Sequence, residues 1–204
     1  MKKLLITVLI GIGAFLFLNS FIPTEKEVEI YNSTVRIHVI ANSDSEEDQV
    51  LKLMVRDKIL EEVVTYRASD KEEALNAIRE NKAELEALAR EALLENGCTH
   101  SVSIEIGNED YPTRYYEDFA LPAGNYTSVR VVLGEGEGEN WWCVLYPPIC
   151  TSAALEYDED SYIQVGLTKD QYTLITGETT EYKVKFKLLE LAKEAFGFSR
   201  DSRD

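Results

Sequence analysis

The residues of this chain that could do bond chemistry are few: Cys98, Cys143 and Cys150, with His38 and His100. A cysteine nucleophile needs an imidazole within hydrogen-bond reach. His38 stands in the β-branched run Val35-Arg36-Ile37-His38-Val39-Ile40 and could face Cys143 across a sheet. Nothing in the spacing demands that pairing, and a packed core histidine is the plainer reading. Cys98-Thr99-His100 follows a helical pattern and reads as its end. Cys143 and Cys150 flank Pro147-Pro148. They would form a local disulfide if their Cα atoms lie within about 7 Å; small buried thiols are the alternative. Cys98 is then left over.

Asn42, Ser43, Asp44, Glu46, Glu47 and Asp48 supply oxygen ligands of the kind calcium takes, so a calcium-dependent binding module is one reading. The EF-hand glycine and spacing are missing, and capping of a following helix explains most of these residues. Zinc spacing and the hydrolase elbow G-x-S-x-G are absent from the sequence. Neither a metal nor a cofactor is expected.

Gly134-Glu135-Gly136-Glu137-Gly138 superficially resembles a phosphate-binding loop. A dinucleotide fingerprint needs a helix after it, whereas here the strand-like Trp141-Trp142-Cys143-Val144-Leu145-Tyr146 follows. The three glutamates at positions 135, 137 and 139 would also repel phosphate. A hairpin loop is the plain reading and a partner-docking loop the sharper one, since glycines expose backbone and glutamates offer charge. Trp141 and Trp142 must point to opposite faces of a strand. One can be core; the other is then covered by a helix or offered to a partner.

The elements that would position these residues follow from periodicity. Val35–Ile40 reads as a strand. A helix follows, capped by Ser43 or Asp44, with Val50, Leu51, Met54, Val55, Ile59 and Val63 as its apolar stripe, widened by Leu53, Leu60 and Val64. A second helix, capped by Ser69 or Asp70, runs to Asn96-Gly97 with Leu75, Ile78, Leu85, Leu88, Ala89, Ala92 and Leu93 as its stripe. Val102, Ile104 and Ile106 alternate as a strand that Asn108-Glu109-Asp110 turns. Further strands are expected over 113–119, 127–133 and 141–146, as an antiparallel meander. A short helix over 167–175, capped by Thr168, and a final helix over 182–198 complete the order. This is an α+β two-layer sandwich: a mostly antiparallel sheet with helices packed on it.

An N-terminal signal or anchor segment precedes that domain. Lys2 and Lys3 lead an apolar run from Leu4 to Leu18, and with Phe21 and Ile22 it nearly reaches the ~20 residues that span a bilayer. Residues 1–22 are therefore an export signal or N-terminal anchor, touching the membrane through residues 4–22 if uncleaved. Residues 23–33 read as a charged spacer, 34–198 as one exported domain and 199–204 as a polar tail. The net charge of −16 argues against nucleic acid and anionic lipid as partners.

Two stretches resemble one family. The first is Arg36-Ile37-His38-Val39-Ile40-Ala41-Asn42-Ser43-Asp44-Ser45. The second runs from Leu121-Pro122-Ala123-Gly124-Asn125-Tyr126 through Val129-Arg130-Val131-Val132-Leu133-Gly134 to Asn140-Trp141-Trp142-Cys143 and Pro147-Pro148-Ile149-Cys150. Together they resemble the stage II sporulation protein R family of endospore-forming bacteria, and Leu167 to Gly177 also fits. The family pattern has Leu at positions 37 and 149, where this chain has Ile, a volume-conserving change. The resemblance implies a protein made in the forespore and secreted across the forespore membrane into the space between forespore and mother cell. There it activates a membrane-embedded aspartic protease of the mother cell, which processes the pro-form of sporulation sigma factor E. It implies a signal rather than an enzyme; the alternatives are an exported cysteine-dependent enzyme using Cys143 with His38, or the calcium module. The expected contact with the protease is Glu135, Glu137, Asn140, Trp141 and Trp142, with Asn42 and Asp44 as a second surface.

Overall fold

The computed structural model describes residues 2–19, 24–116, 119–149, 159–164 and 166–177. Helix α1, Lys2–Asn19, coincides with the apolar leader and exposes Leu4, Leu5, Ile6, Ile10 and Phe15. Among the described residues no helix is long and apolar enough to cross a membrane. The expected final helix over 182–198 lies outside the described residues, as does Cys150.

The stretch read as a spacer is largely helix α2, Glu25–Ser33. Thr24 and Glu27 form a reciprocal capping box at its start. Ile30, 1% exposed, anchors it to the body. Charge had suggested a solvated linker; one isoleucine and a satisfied cap are enough to dock it.

Among the described residues the main sheet has four strands in the order β2-β5-β1-β6: Val102–Tyr111, Gly124–Leu133, Val35–Ile40 and Asn140–Tyr146. Strand β1 pairs in parallel with β5 and antiparallel with β6, while β2 and β5 are antiparallel. The sheet is therefore mostly antiparallel, as expected, yet it is not a meander. Strands β5 and β6 are consecutive in sequence, but β1 lies between them. The glycine-rich segment is thus not a hairpin turn: it must bridge the end of β1. Asn108-Glu109-Asp110 does not turn the chain either. Strand β2 continues through it to Tyr111, because Asn108 and Asp110 sit exposed on an edge strand where polar side chains cost nothing. Of the strand expected over 113–119, Arg114–Tyr115 forms among the described residues (β3), paired with Ala120–Leu121 (β4); residues 117–118 lie outside them.

Helix α3, Glu46–Val64, is capped by Ser45, whose side chain accepts the Asp48 N–H. The long second helix is instead two, α4 (Lys71–Glu80) and α5 (Lys82–Glu95), broken at Asn81. Their apolar residues meet the sheet in one aliphatic core: Val35, Ile37 and Val39 of β1 and Val129, Val131 and Leu133 of β5 pack with Val55, Ile59, Ile78, Leu85 and Leu93. Each such side chain contributes roughly 1.5–3 kcal/mol through burial. Glu86 of α5 also accepts the backbone N–H of Ile104, at 3.0 Å, on the open edge of β2.

Part of the opposite face is covered by α2 together with α6 (Glu159–Gln164) and α7 (Lys169–Ile175), around Tyr111, Tyr126, Val144, Tyr162 and Leu174. Thr168 caps α7 through a capping box with Gln171. The Gln171 side chain then reaches Ser33 of α2 at 3.0 Å, tying these two helices together.

Candidate docking surface and the polar face of the sheet

Two turns converge where β1 ends. Asn42 leaves β1 and turns its side chain toward the glycine-rich segment. Its Oδ1 accepts the Glu135 N–H at 3.0 Å, and its Nδ2 donates to Asp48 Oδ2 at 2.9 Å. Backbone bonds run alongside: Glu137 N–H to the Asn42 carbonyl at 3.2 Å and Gly138 N–H to the Ala41 carbonyl at 3.0 Å. This close lamination explains the glycines. Gly134 has φ +55°, and a Cβ there would collide with the Asn42 side-chain oxygen; one on Gly138 would collide with the Ser43 carbonyl. The structure thus brings together residues 42, 135 and 137, which the sequence reading had placed on two surfaces. Asp44, Glu135 and Glu137 are exposed at this end of the molecule.

Asp48 shows what the oxygen-rich stretch does. It is buried and accepts from Ser43 Oγ at 2.5 Å, Asn42 Nδ2 at 2.9 Å and His100 Nε2 at 3.1 Å. Burial pushes its carboxyl up, but the bonds from Ser43, Asn42 and His100 outweigh that and hold it below its ordinary range. Its lone pairs are engaged internally, and among the described residues no group of three or more His, Cys, Asp or Glu could hold a metal ion. Lys52, also buried, sends Nζ to Gln49 Oε1 at 2.5 Å and to the Glu139 carbonyl at 3.0 Å, fastening α3 to the same loop.

Strand alternation separates the two residues of the cysteine-enzyme reading. Ile37, not His38, stands opposite Cys143. Cys143 lies in the aliphatic core with α3 and α5, is disulfide-bonded and is 1% exposed, whereas Cys98 is a free buried thiol. His38 projects to the other face beside Trp142. The proposed thiol–imidazole pair is therefore overturned by register alone.

On that other face His38 joins a continuous polar chain. Its Nδ1 is 2.8 Å from Glu109 Oε1 and its Nε2 is 2.6 Å from Asn140 Oδ1. Which ring nitrogen donates is set by the tautomer, and both nitrogens are engaged. Ser128 Oγ donates to Glu109 Oε2 at 2.8 Å and lies 2.7 Å from the Tyr111 hydroxyl. Burial raises the Glu109 carboxyl, but the His38 bond and charge, then Ser128, carry it below its usual value. The order of these groups matters. A nucleophile relay places histidine between serine and carboxylate; here the carboxylate stands between serine and histidine. Among the described residues neither histidine ring hydrogen-bonds a serine hydroxyl or a cysteine thiol.

The tryptophans point to opposite faces, as the pattern required. Trp141 packs on the helix side, with the Arg56 guanidinium 4.8 Å from its ring centre. Trp142 is sandwiched between the His38 ring, stacked at 5.2 Å, and the Arg114 guanidinium at 3.5 Å. Both are half-buried.

Arg36 was missed by sequence reasoning. It is fully buried, with its guanidinium 4.0 Å from the Tyr111 ring and 5.0 Å from the Tyr126 ring. Nη2 donates to the Tyr116 hydroxyl at 2.8 Å, and Nη1 has no hydrogen-bond partner among the described residues. The available signal was the alternation of Arg36 and His38 with Val35, Ile37 and Val39, which puts both polar residues on one face of a buried strand.

What fold and site define is an α+β protein whose histidines, buried carboxylate and core cysteine are committed to internal contacts. The chain belongs to the stage II sporulation protein R family. The model of that family matches residues 31–156. Stage II sporulation protein R of Bacillus subtilis (strain 168) is 32% identical over 226 residues, which cover 96% of this chain and 100% of that protein. No solved structure matches the chain.

Proposed function

We propose that this chain is an exported sporulation signal that acts by contact. Residues 1–22 direct it across the forespore membrane, or hold it there if uncleaved. In the space between the two cells it binds a membrane-embedded aspartic protease of the mother cell. That protease then processes the pro-form of sporulation sigma factor E. The chain itself catalyses nothing. Binding shifts the protease toward its active arrangement only if the chain contacts that arrangement more tightly. The docking surface is the laminated end of the molecule: Asn42, Asp44, Glu135 and Glu137, continued into Asn140, Trp141 and Trp142.

Family membership supports the sporulation role. The observation that carries the contact mechanism is the arrangement of Asn140–His38–Glu109–Ser128, in which every reactive group has an internal partner while the acidic turns at the end of β1 are exposed. The test is reconstitution in non-sporulating cells that express this chain, the protease and the pro-sigma factor, with blotting for the shortened sigma factor. Cleavage that requires the exported form of this chain is expected. No cleavage, with all three proteins confirmed and this one outside, would overturn the reading.

A further inference from the structure

Four residues that periodicity assigned to the core of α3 are on its surface: Val50, Leu53, Met54 and Val64 are 51%, 38%, 39% and 42% exposed. Their places in the stripe are taken by Asp48 and Lys52, whose charged groups are buried in hydrogen bonds to neighbouring residues. Helical spacing puts Glu46, Glu47, Val50, Leu53, Met54, Asp57 and Glu61 on one outward ridge. Its middle is apolar, with Glu46 and Glu47 at one end and Asp57 and Glu61 at the other, where exposed Lys58 borders it. Among these, Asp57 is paired with Arg56 at 2.7 Å. Arg56 follows Leu53 by one turn and covers Trp141, so the ridge continues to edge strand β6. Beyond its N-terminal end stands exposed Asp44; Lys52 ties this part of α3 to the acidic loop of Glu135 and Glu137.

We propose that this ridge docks a basic amphipathic segment of a partner protein. Apolar side chains of that segment would cover Val50, Leu53 and Met54, and its Lys or Arg residues would face Glu46, Glu47 and Glu61. Charge selects this occupant. An anionic lipid surface would be repelled by the same carboxylates. A second copy of this chain would set two identical acidic rims against each other, at a cost. A basic segment satisfies both the apolar centre and the rim. The proposal rests on the reading of the chain as a protein ligand, and it assigns the chemistry of the surface its receptor must present.

Two arms test it. In the first, the purified full chain is titrated with an 18-residue helical peptide of leucine and lysine, with its leucine–glutamate counterpart and with phosphatidylglycerol vesicles. The lysine peptide is expected to bind the native chain at least ten-fold more tightly than it binds Leu53→Gln/Met54→Gln, which removes the apolar contact and leaves the charge unchanged. Equal binding to both, or binding of the vesicles instead, overturns the ridge. Both positions are exposed, so the variant should melt with the native protein; Glu46→Lys/Glu47→Lys supplies the same loss by charge if it does not. The second arm repeats the cellular reconstitution with these variants and with Ser103→Lys/Asn108→Lys on the exposed edge of β2. At equal extracellular levels, sigma processing should fall at least ten-fold for the ridge variants and stay within two-fold for the control. Full processing by both ridge variants overturns the proposal while leaving the signalling reading intact. Failure of the native chain to support processing overturns that reading, and the peptide arm then decides the ridge alone.

Discussion

On the face of the sheet that meets α3 and α5, Val35, Ile37 and Val39 lie among aliphatic residues and are fully buried. One residue along the same strand, Arg36 and His38 occupy the opposite face among tyrosines, Glu109, Ser128 and Trp142. The first face is held by dispersion and the hydrophobic effect, which tolerate change if volume is kept. The second is held by directional bonds, in which each group fixes the next and the loss of one leaves another unpaired. Six residues of β1 thus serve two cores with different failure modes, which explains why a polar residue can be as buried as an isoleucine.

Removing volume from the aliphatic face should have the largest effect. Ile37→Ala is expected to lower stability by about 3 kcal/mol, because the cavity adds to the lost transfer energy; urea unfolding measures it. On the polar face His38→Ala should cost about 2 kcal/mol, since it removes the ring stacked on Trp142 and both of its hydrogen bonds. Unlike the aliphatic variant, it should be partly rescued by Glu109→Gln in the same chain, which takes away the stranded charge.

A smaller effect, about 1 kcal/mol at neutral pH, is expected for Glu109→Gln alone. Its pH dependence sharpens the contrast. The Glu109 carboxyl is held below its ordinary value when folded, so its contribution is present above the unfolded carboxylate pKa and is lost as pH falls through the folded one. The melting-temperature gap between native and Gln proteins should therefore close as pH falls below about 4. A gap that widens instead would contradict the assigned His38–Glu109 pair. The smallest effect is expected for Arg36→Met. With Nη1 unpartnered and no carboxylate hydrogen-bonded to its guanidinium among the described residues, replacing this buried cation by an apolar chain of similar length should shift stability by less than about 1 kcal/mol in either direction.

Much of this was legible in the sequence. Strand alternation placed Trp141 and Trp142 on opposite faces, and turn and cap residues located α3 and α7 to within two residues. The same alternation, applied to Ile37 and His38, could have excluded the Cys143 pairing once the register was known, but register is a long-range property. The insertion of β1 between β5 and β6 is hidden for that reason, and with it the true task of Gly134 and Gly138. The stripe of α3 misled because Asp48 and Lys52 are buried by virtue of hydrogen-bond partners: Ser43, Asn42 and His100 for the carboxylate, Gln49 and the Glu139 carbonyl for the ammonium. Local periodicity cannot see such partners, and it assigned the inward positions to Val50 and Met54 instead.

The central claim is that this chain signals by contact and performs no chemistry with its polar face. It is tested most directly by Glu109→Gln, which removes the carboxylate of the polar chain but leaves the His38 ring against Trp142 and Asn140, in the reconstituted cells with extracellular protein matched to the native chain by blotting. The account predicts that shortened sigma factor accumulates to at least half the native level. Loss of processing by a folded, exported Glu109→Gln protein would contradict it.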